Sequence, residues 1–214
     1  MSSASVLLQA RGLGRQIPGD GQWLFRDLDL HIDPGERLAI VGPTGSGKTL
    51  LMRGLAALDA CDAGEILWQG EPVADAAIPQ FRRQAVYLHQ RAALFEGSVE
   101  TNLKMVFALR AHREQQYDRG RVLAWLDELG RGEKFLKQPA ADLSGGEAQI
   151  AALIRAMQCD PLLLMFDEAT SALDPDTTAA AEAMITHWQQ ADERRALIWV
   201  SHDPRQIERI ATRK

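Results

Sequence analysis

The sequence has no apolar run long enough to cross a membrane. Its longest uninterrupted apolar stretches, such as the one at residues 162–166, fall far short of the about 20 residues that a membrane-spanning helix requires. The first residues, MSSASVLLQARG, also lack the basic start and the apolar stretch of a secretory signal. These absences predict a chain that stays in the cytoplasm and does not cross a bilayer by itself.

Cysteine is scarce as well. The two cysteines, Cys61 and Cys159, lie far apart and show neither a CxxC motif nor the cysteine–histidine spacing of a zinc site. The sequence therefore indicates no disulfide framework and no zinc centre, and we expect both residues to be ordinary small buried side chains.

Positive charge is not in excess. Lys and Arg number 24 against 29 Asp and Glu, which gives a formal net charge of -5 at pH 7. Binding to the phosphates of nucleic acid needs clustered Lys and Arg, and the pairs at 82–83 and 194–195 are too small to supply them. We expect no nucleic acid partner.

The chain does contain enough apolar residues for a core of its own, since 46% of its 214 residues are hydrophobic. Short β-type apolar runs occur at 38–41, 162–166 and 196–200. A helix is predicted to start near Gly47, with one apolar face formed by Leu50, Leu51, Leu55 and Leu58. Strands that alternate with helices predict an α/β fold with a parallel sheet.

The middle of the chain, from about residue 90 to 155, is more polar and predicted to be helical. The candidate helices are 99–112, 117–129 and 145–157. This block predicts a helical subdomain inserted into the sheet core.

A glycine loop follows the first apolar run. It consists of Gly42, Pro43, Thr44, Gly45, Ser46, Gly47, Lys48 and Thr49 and matches the pattern G-x-x-x-x-G-K-[ST]. In such a loop the backbone N–H groups and the start of the helix hold the phosphates of a nucleotide. Lys48 is predicted to bridge the β- and γ-phosphates, and the Thr49 hydroxyl to bind Mg²⁺.

Two acids end the second apolar run, in the segment LLLMFDE at 162–168. A parallel α/β fold binds its ligand at the carboxyl edge of the sheet, where this strand would place both carboxylates. Asp167 is predicted to hold Mg²⁺, and Glu168 to polarise the water that attacks the γ-phosphorus. Alone, the two acids fit a strand or helix cap equally well, but together with the glycine loop they favour catalysis.

A second candidate anion site lies at 143–147, in the segment LSGGE. The Ser144 hydroxyl, the N–H groups of Gly145 and Gly146 and the start of a helix all suit an anion. Because the glycine loop already supplies one phosphate site, this site is best explained by a nucleotide bound to another molecule.

With these motifs in this order, the chain resembles the ABC ATPase family, whose signature is LSGGQ or a close variant. The resemblance extends from about Leu7 to Ile210. It implies a P-loop NTPase fold with an ABC-type core sheet, an antiparallel β subdomain and an inserted helical subdomain. Residues 1–89 and 156–214 would form the core with the β subdomain, and 90–155 the helical subdomain.

The resemblance also implies roles for single residues. Gln90 matches the glutamine that links Mg²⁺ and the attacking water to the membrane part of the transporter. Ser171–Asp174 resembles the loop that reaches the opposite protomer, and His202, in WVSHD, matches the histidine that contacts the γ-phosphate. The implied catalytic residues are Lys48, Gln90, Glu168 and His202, and the implied Mg²⁺ ligands are Thr49, Gln90 and Asp167.

The mechanism that the family implies is ATP-driven closure of a head-to-tail homodimer. Ser144, Gly145, Gly146, Glu147 and Asp174 of one chain would complete the nucleotide site of the other. A separate permease would dock near 90–102, which implies a location on the inner face of the membrane.

Three features depart from the family pattern. The adenine-stacking aromatic residue is missing at the aligned positions Arg15 and Ile17, which leaves Arg15 and Trp23 as candidates. Ile150 stands where an arginine is common. The chain also stops at Lys214, before the closing strand pair of many relatives, so we expect either a compact protein or a shortened C-terminus.

These motifs do not identify the transported substrate, or cargo. The stretch LFEGSVETNL, the signature LSGGE and the ending ALIWVSHD resemble the ATP-binding subunits of bacterial iron-export systems. Phosphate-import and amino-acid-import ATPases stay open. Three alternatives of other kinds are a soluble ABC ATPase acting on DNA or ribosomes, a nucleotide kinase, and a nucleotide-binding regulator without turnover.

Overall fold

A computed structural model describes residues 6–17 and 19–214. The N-terminal stretch without signal features is thus only partly covered, because residues 1–5 lie outside the described residues. The strands are β1 (Leu8–Gln16), β2 (Trp23–Ile32), β3 (Arg37–Ala39), β4 (Ala63–Trp68), β5 (Glu71–Pro72), β6 (Ala85–Leu88), β7 (Leu163–Asp167) and β8 (Ala196–Val200). The α-helices are α1 (Lys48–Leu55), α2 (Ile78–Gln84), α3 (Val99–Lys104), α4 (Arg119–Glu128), α5 (Gly145–Met157), α6 (Pro175–Gln190) and α7 (Pro204–Ile210).

The strands form two sheets. The first has the order β2-β1-β4-β5 and is antiparallel throughout, with Leu8 opposite both Ile32 and Trp68. The second has the order β3-β8-β7-β6, and its pairs β3–β8 and β7–β8 are parallel. These sheets confirm the predicted α/β class with its antiparallel β part.

The predicted strands of the parallel sheet are present with shifted ends. Every residue of β7 and β8 is buried, as expected for apolar runs inside a parallel sheet. The run predicted at 38–41 is β3, which ends at Ala39, although the Ile40 amide still donates to the Trp199 carbonyl at 2.8 Å. The glycine loop therefore begins soon after a strand of this sheet.

Helix α1 differs from its prediction at the C-terminal end. Leu51 and Leu55 are buried in the core and Leu50 is half-buried, as the pattern predicted. The helix ends at Leu55, however, and Ala57 has a φ of 52°, in the left-handed region. Leu58 consequently leaves the helical face and is 40% exposed, so its predicted place on that face was wrong.

Contacts divide the chain into two compact units. The first unit comprises Met1–Tyr87, Leu162–Asp167 and Glu193–Lys214, and it contains the antiparallel sheet, α1, α2, α7 and most of the parallel sheet. Its core packs α1 residues against both sheets, with Leu8, Met52 and Ile198 among the buried side chains. The predicted division into core and helical subdomain stays a prediction.

The second unit comprises Leu88–Pro161 and Glu168–Asp192 and contains α3, α4, α5 and α6. The helix predicted at 145–157 is α5, and the one predicted at 117–129 is the shorter α4, capped by Asp118. The prediction of a single helix at 99–112 was wrong. Its α-helical part ends at Lys104, and two 3-10 turns follow because Leu109 takes an extended conformation between them.

The two cysteines form no disulfide in the described chain. Cys159 is buried as expected, whereas Cys61 is only half-buried against the core of the first unit. None of the helices in the described part of the chain combines the length and the apolar character needed to cross a membrane.

Candidate functional site

The glycine loop at 42–49 lies between β3 and α1 in the first unit. Gly45 and Gly47 have φ values of 82° and 90°, which side-chain-bearing residues rarely adopt. A Cβ on Gly47 would also lie 2.7 Å from the Leu24 side chain. Glycine is therefore required where the loop turns into the helix, and the first N–H groups of α1 are left for an anion.

Lys48, the first residue of α1, folds back over this loop. Its Nζ donates to the carbonyl oxygens of Gly42 at 2.8 Å and Pro43 at 2.9 Å. An ammonium group has three donors, so one N–H remains for a phosphate oxygen. The neighbouring Thr49 is exposed in the first turn.

Asp167 ends β7 at the same edge of the parallel sheet. Trp199 of β8 pairs with Ala39 on one side and with Phe166 on the other, so the segments that follow β3 and β7 leave the sheet together. The Asp167 side chain is only 3% exposed and accepts a hydrogen bond from the Tyr87 hydroxyl at 2.7 Å. Burial, and then this hydrogen bond, raise the pKa of Tyr87.

These residues fit a Mg²⁺ ion. Carboxylate and hydroxyl oxygens, as on Asp167 and Thr49, are the donors that Mg²⁺ prefers. Within the described residues Asp167 forms no ion pair, and its hydrogen-bond donor is a neutral hydroxyl. A buried carboxylate is costly without a compensating charge, so the environment of Asp167 favours a cation.

His202 follows the end of β8 at the same edge of the parallel sheet. Val200, the last residue of β8, pairs with Asp167, and His202 follows two residues later. The turn continues into α7, whose cap is the Asp203 carboxylate accepting from the Arg205 amide at 2.9 Å. The first unit thus brings together the glycine loop, Asp167 and His202 at one edge.

Glu168 and Gln90 meet in the second unit. The Gln90 amide donates to a Glu168 carboxylate oxygen at 3.3 Å. Glu168 has a φ of 54°, a conformation that costs a non-glycine residue roughly 1–3 kcal/mol and is often found at functional sites. Two of the residues predicted to be catalytic are therefore in contact, and one of them is held in a strained conformation.

Ser144 caps α5 at the signature segment. Its hydroxyl donates to the Glu147 carboxylate at 2.8 Å, its backbone N–H donates to the same oxygen at 2.9 Å, and the Glu147 amide donates back to the hydroxyl at 3.3 Å. The Ser144 N–H and then its hydroxyl lower the pKa of Glu147. The Ser144 hydroxyl, which the sequence analysis assigned to an anion, thus donates a hydrogen bond to the Glu147 carboxylate instead.

Gly146 contacts the loop at Ser171–Asp174, also in the second unit. A Cβ on Gly146 would lie 2.9 Å from the Ala172 carbonyl oxygen, so the close approach requires glycine. Asp174 caps α6 by accepting from the Thr177 hydroxyl at 2.6 Å and the Thr177 amide at 2.9 Å. The Thr177 hydroxyl, followed by its amide, lowers the pKa of Asp174.

The two candidates for stacking on adenine differ in their surroundings. Arg15 donates to the Ala60 carbonyl at 2.6 Å and lies 3.4 Å from the Asp62 carboxylate, so its guanidinium is held by the 60–62 turn. Trp23 is half-buried, with the Arg26 guanidinium 5.0 Å from its ring centre. Adenine stacking by Arg15 or Trp23 stays a prediction.

Sequence reasoning missed two residues that shape the site. Tyr87 is one, because nothing in the sequence links it to Asp167. The other is Asn102, the only asparagine of the chain, whose fully buried side chain accepts from the Phe95 amide at 2.7 Å and donates to the Phe95 and Ser98 carbonyls. Only its place in the predicted docking segment hinted at a role.

The parallel sheet, the glycine loop and the acid at the strand end define a P-loop nucleotide hydrolase. A sequence model of the ABC transporter family matches residues 25–171, more than half of the chain. The chain therefore belongs to the ABC transporter family. It is an ABC-type ATP-binding domain, an ATPase of the kind that drives transport.

Relatives of known name support this assignment. The chain is 33% identical over 207 residues to the probable iron export ATP-binding protein FetA of Escherichia coli, covering 97% of this chain and 89% of that protein. It is 36% identical over 231 residues to a probable anion import ATP-binding protein of Haloferax volcanii, with coverages of 96% and 75%. It is 32% identical over 210 residues to protein STAR1 of Oryza sativa subsp. japonica, covering 98% of this chain but 60% of the rice protein.

A solved structure shares the fold. The ATP-binding subunit of an ABC transporter matches with a TM-score of 0.84 at 24% identity, over 96% of this chain and 83% of that one. These comparisons confirm the predicted family and fold class, whereas the names of the relatives include both a probable anion import protein and a probable iron export protein.

Proposed function

We propose that this chain hydrolyses ATP at the edge of its parallel sheet and thereby powers a separate membrane permease. The observation that carries this proposal is the meeting of the glycine loop, Asp167 and His202 where β3, β7 and β8 end. Such an edge is where α/β proteins bind their ligands.

In this mechanism the loop residues at 42–49 bind the triphosphate through backbone N–H groups, and the remaining N–H of Lys48 contacts the β- and γ-phosphates. Thr49 and Asp167 would hold Mg²⁺, with Gln90 as the further ligand that the family resemblance implies, and the ion would neutralise phosphate charge. Glu168, oriented by Gln90 at 3.3 Å, accepts a hydrogen bond from the attacking water. His202 donates to the γ-phosphate, so that positioning and charge stabilisation carry the reaction.

We further propose a head-to-tail homodimer. Ser144, Gly145, Gly146 and Glu147 stand at the N-terminus of the 13-residue helix α5, where the helix dipole favours an anion. Because Gly146 packs against Ala172, the signature segment and the loop ending at Asp174 would approach the partner's nucleotide together.

The permease would dock on the segment at 90–102, which would place the chain on the inner face of the membrane. Phe95 is 60% exposed here although its backbone is fixed by the buried Asn102. A rigidly held, exposed aromatic residue suits a protein contact. Iron is the cargo that we propose, on the resemblance of LFEGSVETNL, LSGGE and ALIWVSHD to iron-export subunits.

The first test measures phosphate release by the purified chain with Mg-ATP, beside the Glu168→Gln variant and the exposed-acid control Glu71→Gln. We expect Glu168→Gln to lose at least about a hundredfold in rate and to accumulate as an ATP-bound dimer in light scattering. Hydrolysis at the wild-type rate by Glu168→Gln would contradict the role of Glu168. Failure of ATP to bring two chains together would contradict the shared site.

Cargo is tested with the permease. We expect ATPase activity to rise when the chain is reconstituted with its permease in vesicles, and iron to move to the side opposite the ATPase. Movement of an anion instead, or movement toward the ATPase, would overturn iron export but leave the ATPase role intact.

A further inference from the structure

Tyr87 is joined to the proposed metal site by one hydrogen bond. It lies near the end of β6, the strand beside β7, and its hydroxyl donates to Oδ2 of Asp167 at 2.7 Å. Both residues belong to the first unit. The contact joins residues that are 80 positions apart in the sequence.

The position of the Asp167 carboxylate depends on this contact. With 3% of the residue exposed, water can do little to orient the side chain. A carboxylate offers two oxygens as acceptors, and Tyr87 occupies Oδ2, which leaves Oδ1 for a cation or its water. Outer hydrogen bonds of this kind orient metal ligands in many sites.

The Tyr87 hydroxyl is suited to act as a permanent donor. A tyrosine hydroxyl has an ordinary pKa of about 10 and keeps its proton in neutral solution, and the Tyr87 hydroxyl donates to the Asp167 carboxylate at 2.7 Å. The Arg53–Asp59 ion pair, with an N–O distance of 2.6 Å, acts on the same hydroxyl with opposing charges. A neutral donor fixes the carboxylate without competing with Mg²⁺ for its charge.

We propose that Tyr87 is a positioning residue for the Mg²⁺ site, which holds the Asp167 side chain so that its second oxygen faces the metal. This inference rests on the proposed function of Asp167 as a Mg²⁺ ligand. It also gives β6 a double role, because the chain continues from Tyr87 to Gln90, the other proposed ligand that follows this strand.

The test removes only the hydroxyl. In the full-length chain, Tyr87→Phe keeps the ring, and we expect the affinity for ATP in EDTA to stay as in the wild type. The affinity of the ATP-bound chain for Mn²⁺, followed by electron paramagnetic resonance, is expected to fall about tenfold, as is usual when an outer partner of a metal ligand is lost. The Mg²⁺ concentration for half-maximal phosphate release should rise by a similar factor.

The matched control is Tyr117→Phe, which removes the hydroxyl of the chain's only other tyrosine. Tyr117 lies in the second unit and contacts Lys104, whose ammonium is 5.1 Å from its ring centre. We expect this variant to bind Mn²⁺ as the wild type does. Asp167→Asn serves as the second reference and is expected to lose Mn²⁺ binding.

A measurement on the wild-type chain covers the case in which Tyr87→Phe does not fold. With ring-labelled tyrosine, nuclear magnetic resonance gives two signals, which single substitutions assign. Adding Mg²⁺ to the ATP-bound chain should shift the Tyr87 signal and leave the Tyr117 signal in place. A Tyr87 signal that does not respond would overturn the inference.

The outcomes separate the inference from the proposed function. If Asp167→Asn loses Mn²⁺ binding while Tyr87→Phe retains it, Tyr87 has no positioning role and the proposed metal site stands. If Asp167→Asn binds Mn²⁺ like the wild type, the metal assignment itself fails. A loss of ATP affinity in EDTA by Tyr87→Phe would show a structural role rather than a metal-directed one.

Discussion

Glu147 is the residue that sets this signature apart from the family's LSGGQ. Its carboxylate accepts from both the hydroxyl and the N–H of Ser144. A phosphate of the partner's nucleotide would have to compete for that hydroxyl and would approach a negative charge. We infer that the carboxylate weakens ATP-driven pairing of two chains.

The corresponding substitution is Glu147→Gln, made in the Glu168→Gln background so that ATP persists. A glutamine can still complete the cap of α5, while the repulsion is removed. We expect half-maximal dimerisation in light scattering at about fivefold lower ATP, equivalent to about 1 kcal/mol. A weaker dimer would mean that the Glu147 carboxylate itself helps to bind the nucleotide.

The pH dependence of the free energy of unfolding should also depend on Glu147. The Ser144 N–H and hydroxyl lower the pKa of Glu147 below its unfolded value of about 4.3. This stabilisation is fully present above the unfolded pKa and is lost as pH falls through the folded one. We expect the free energy of unfolding, measured with urea below about pH 4.5, to fall less steeply in Glu147→Gln than in wild type.

Ser144→Ala provides the internal comparison, because it removes the hydroxyl and keeps the backbone donor. Its pH dependence should lie between those of the wild type and Glu147→Gln. An unchanged slope in Glu147→Gln would contradict the assignment of this stabilisation to the capping pair.

Several single residues could be predicted from the sequence, and others could not. The glycine loop and LSGGE could be predicted because the required residues are contiguous and their chemistry depends largely on the backbone. The contact between Tyr87 and Asp167 gave no such signal, since it depends on how β6 and β7 lie in the folded sheet. The Ser144–Glu147 bond was missed for another reason: the phosphate interpretation of the serine took precedence over its role as a helix cap.

Asn102 holds the part of the segment between β6 and α3 that carries Phe95. Asn102, on α3, makes three hydrogen bonds to the backbone at Phe95 and Ser98, all between 2.7 and 3.0 Å. These bonds satisfy a buried amide and fix the loop that exposes Phe95. Asn102→Ala is therefore expected to cost about 2–3 kcal/mol of stability and to speed hydrogen exchange at 93–98.

Phe95→Ala tests the exposed ring of Phe95 separately from the Asn102 hydrogen bonds that hold its backbone. Both variants should lose stimulation by the permease, whereas only Asn102→Ala should change hydrogen exchange and the urea midpoint. If Phe95→Ala retains full stimulation, the permease contacts another part of the segment.

Helices and strands were predictable where one pattern dominated. The helix at 145–157 has a strong apolar face, and the structure reproduces both predicted ends. The helix at 99–112 failed after Lys104, because its apolar residues Met105, Val106 and Phe107 enter a 3-10 turn whose spacing resembles that of an α-helix. Periodicity cannot distinguish the two over so few residues.

At the scale of the whole molecule, nucleotide binding should appear as added stability. A ligand that binds only the folded chain stabilises it by about 2.7 kcal/mol at a hundred times its dissociation constant. We expect Mg-ATP to raise the thermal midpoint of Glu168→Gln by this mechanism, as followed by calorimetry. Lys48→Ala in the same background should lose most of the shift, and an equal shift there would place the nucleotide elsewhere.

The bonds from Lys48 to the Gly42 and Pro43 carbonyls have a consequence for the speed and strength of recognition. Immobilising a free lysine side chain costs up to about 2 kcal/mol in rotamer entropy, and here folding itself has already restricted that freedom. When a triphosphate binds at the loop, the Lys48 side chain is already restricted to few rotamers. An arriving nucleotide can therefore be held with little further ordering of the cation that contacts it.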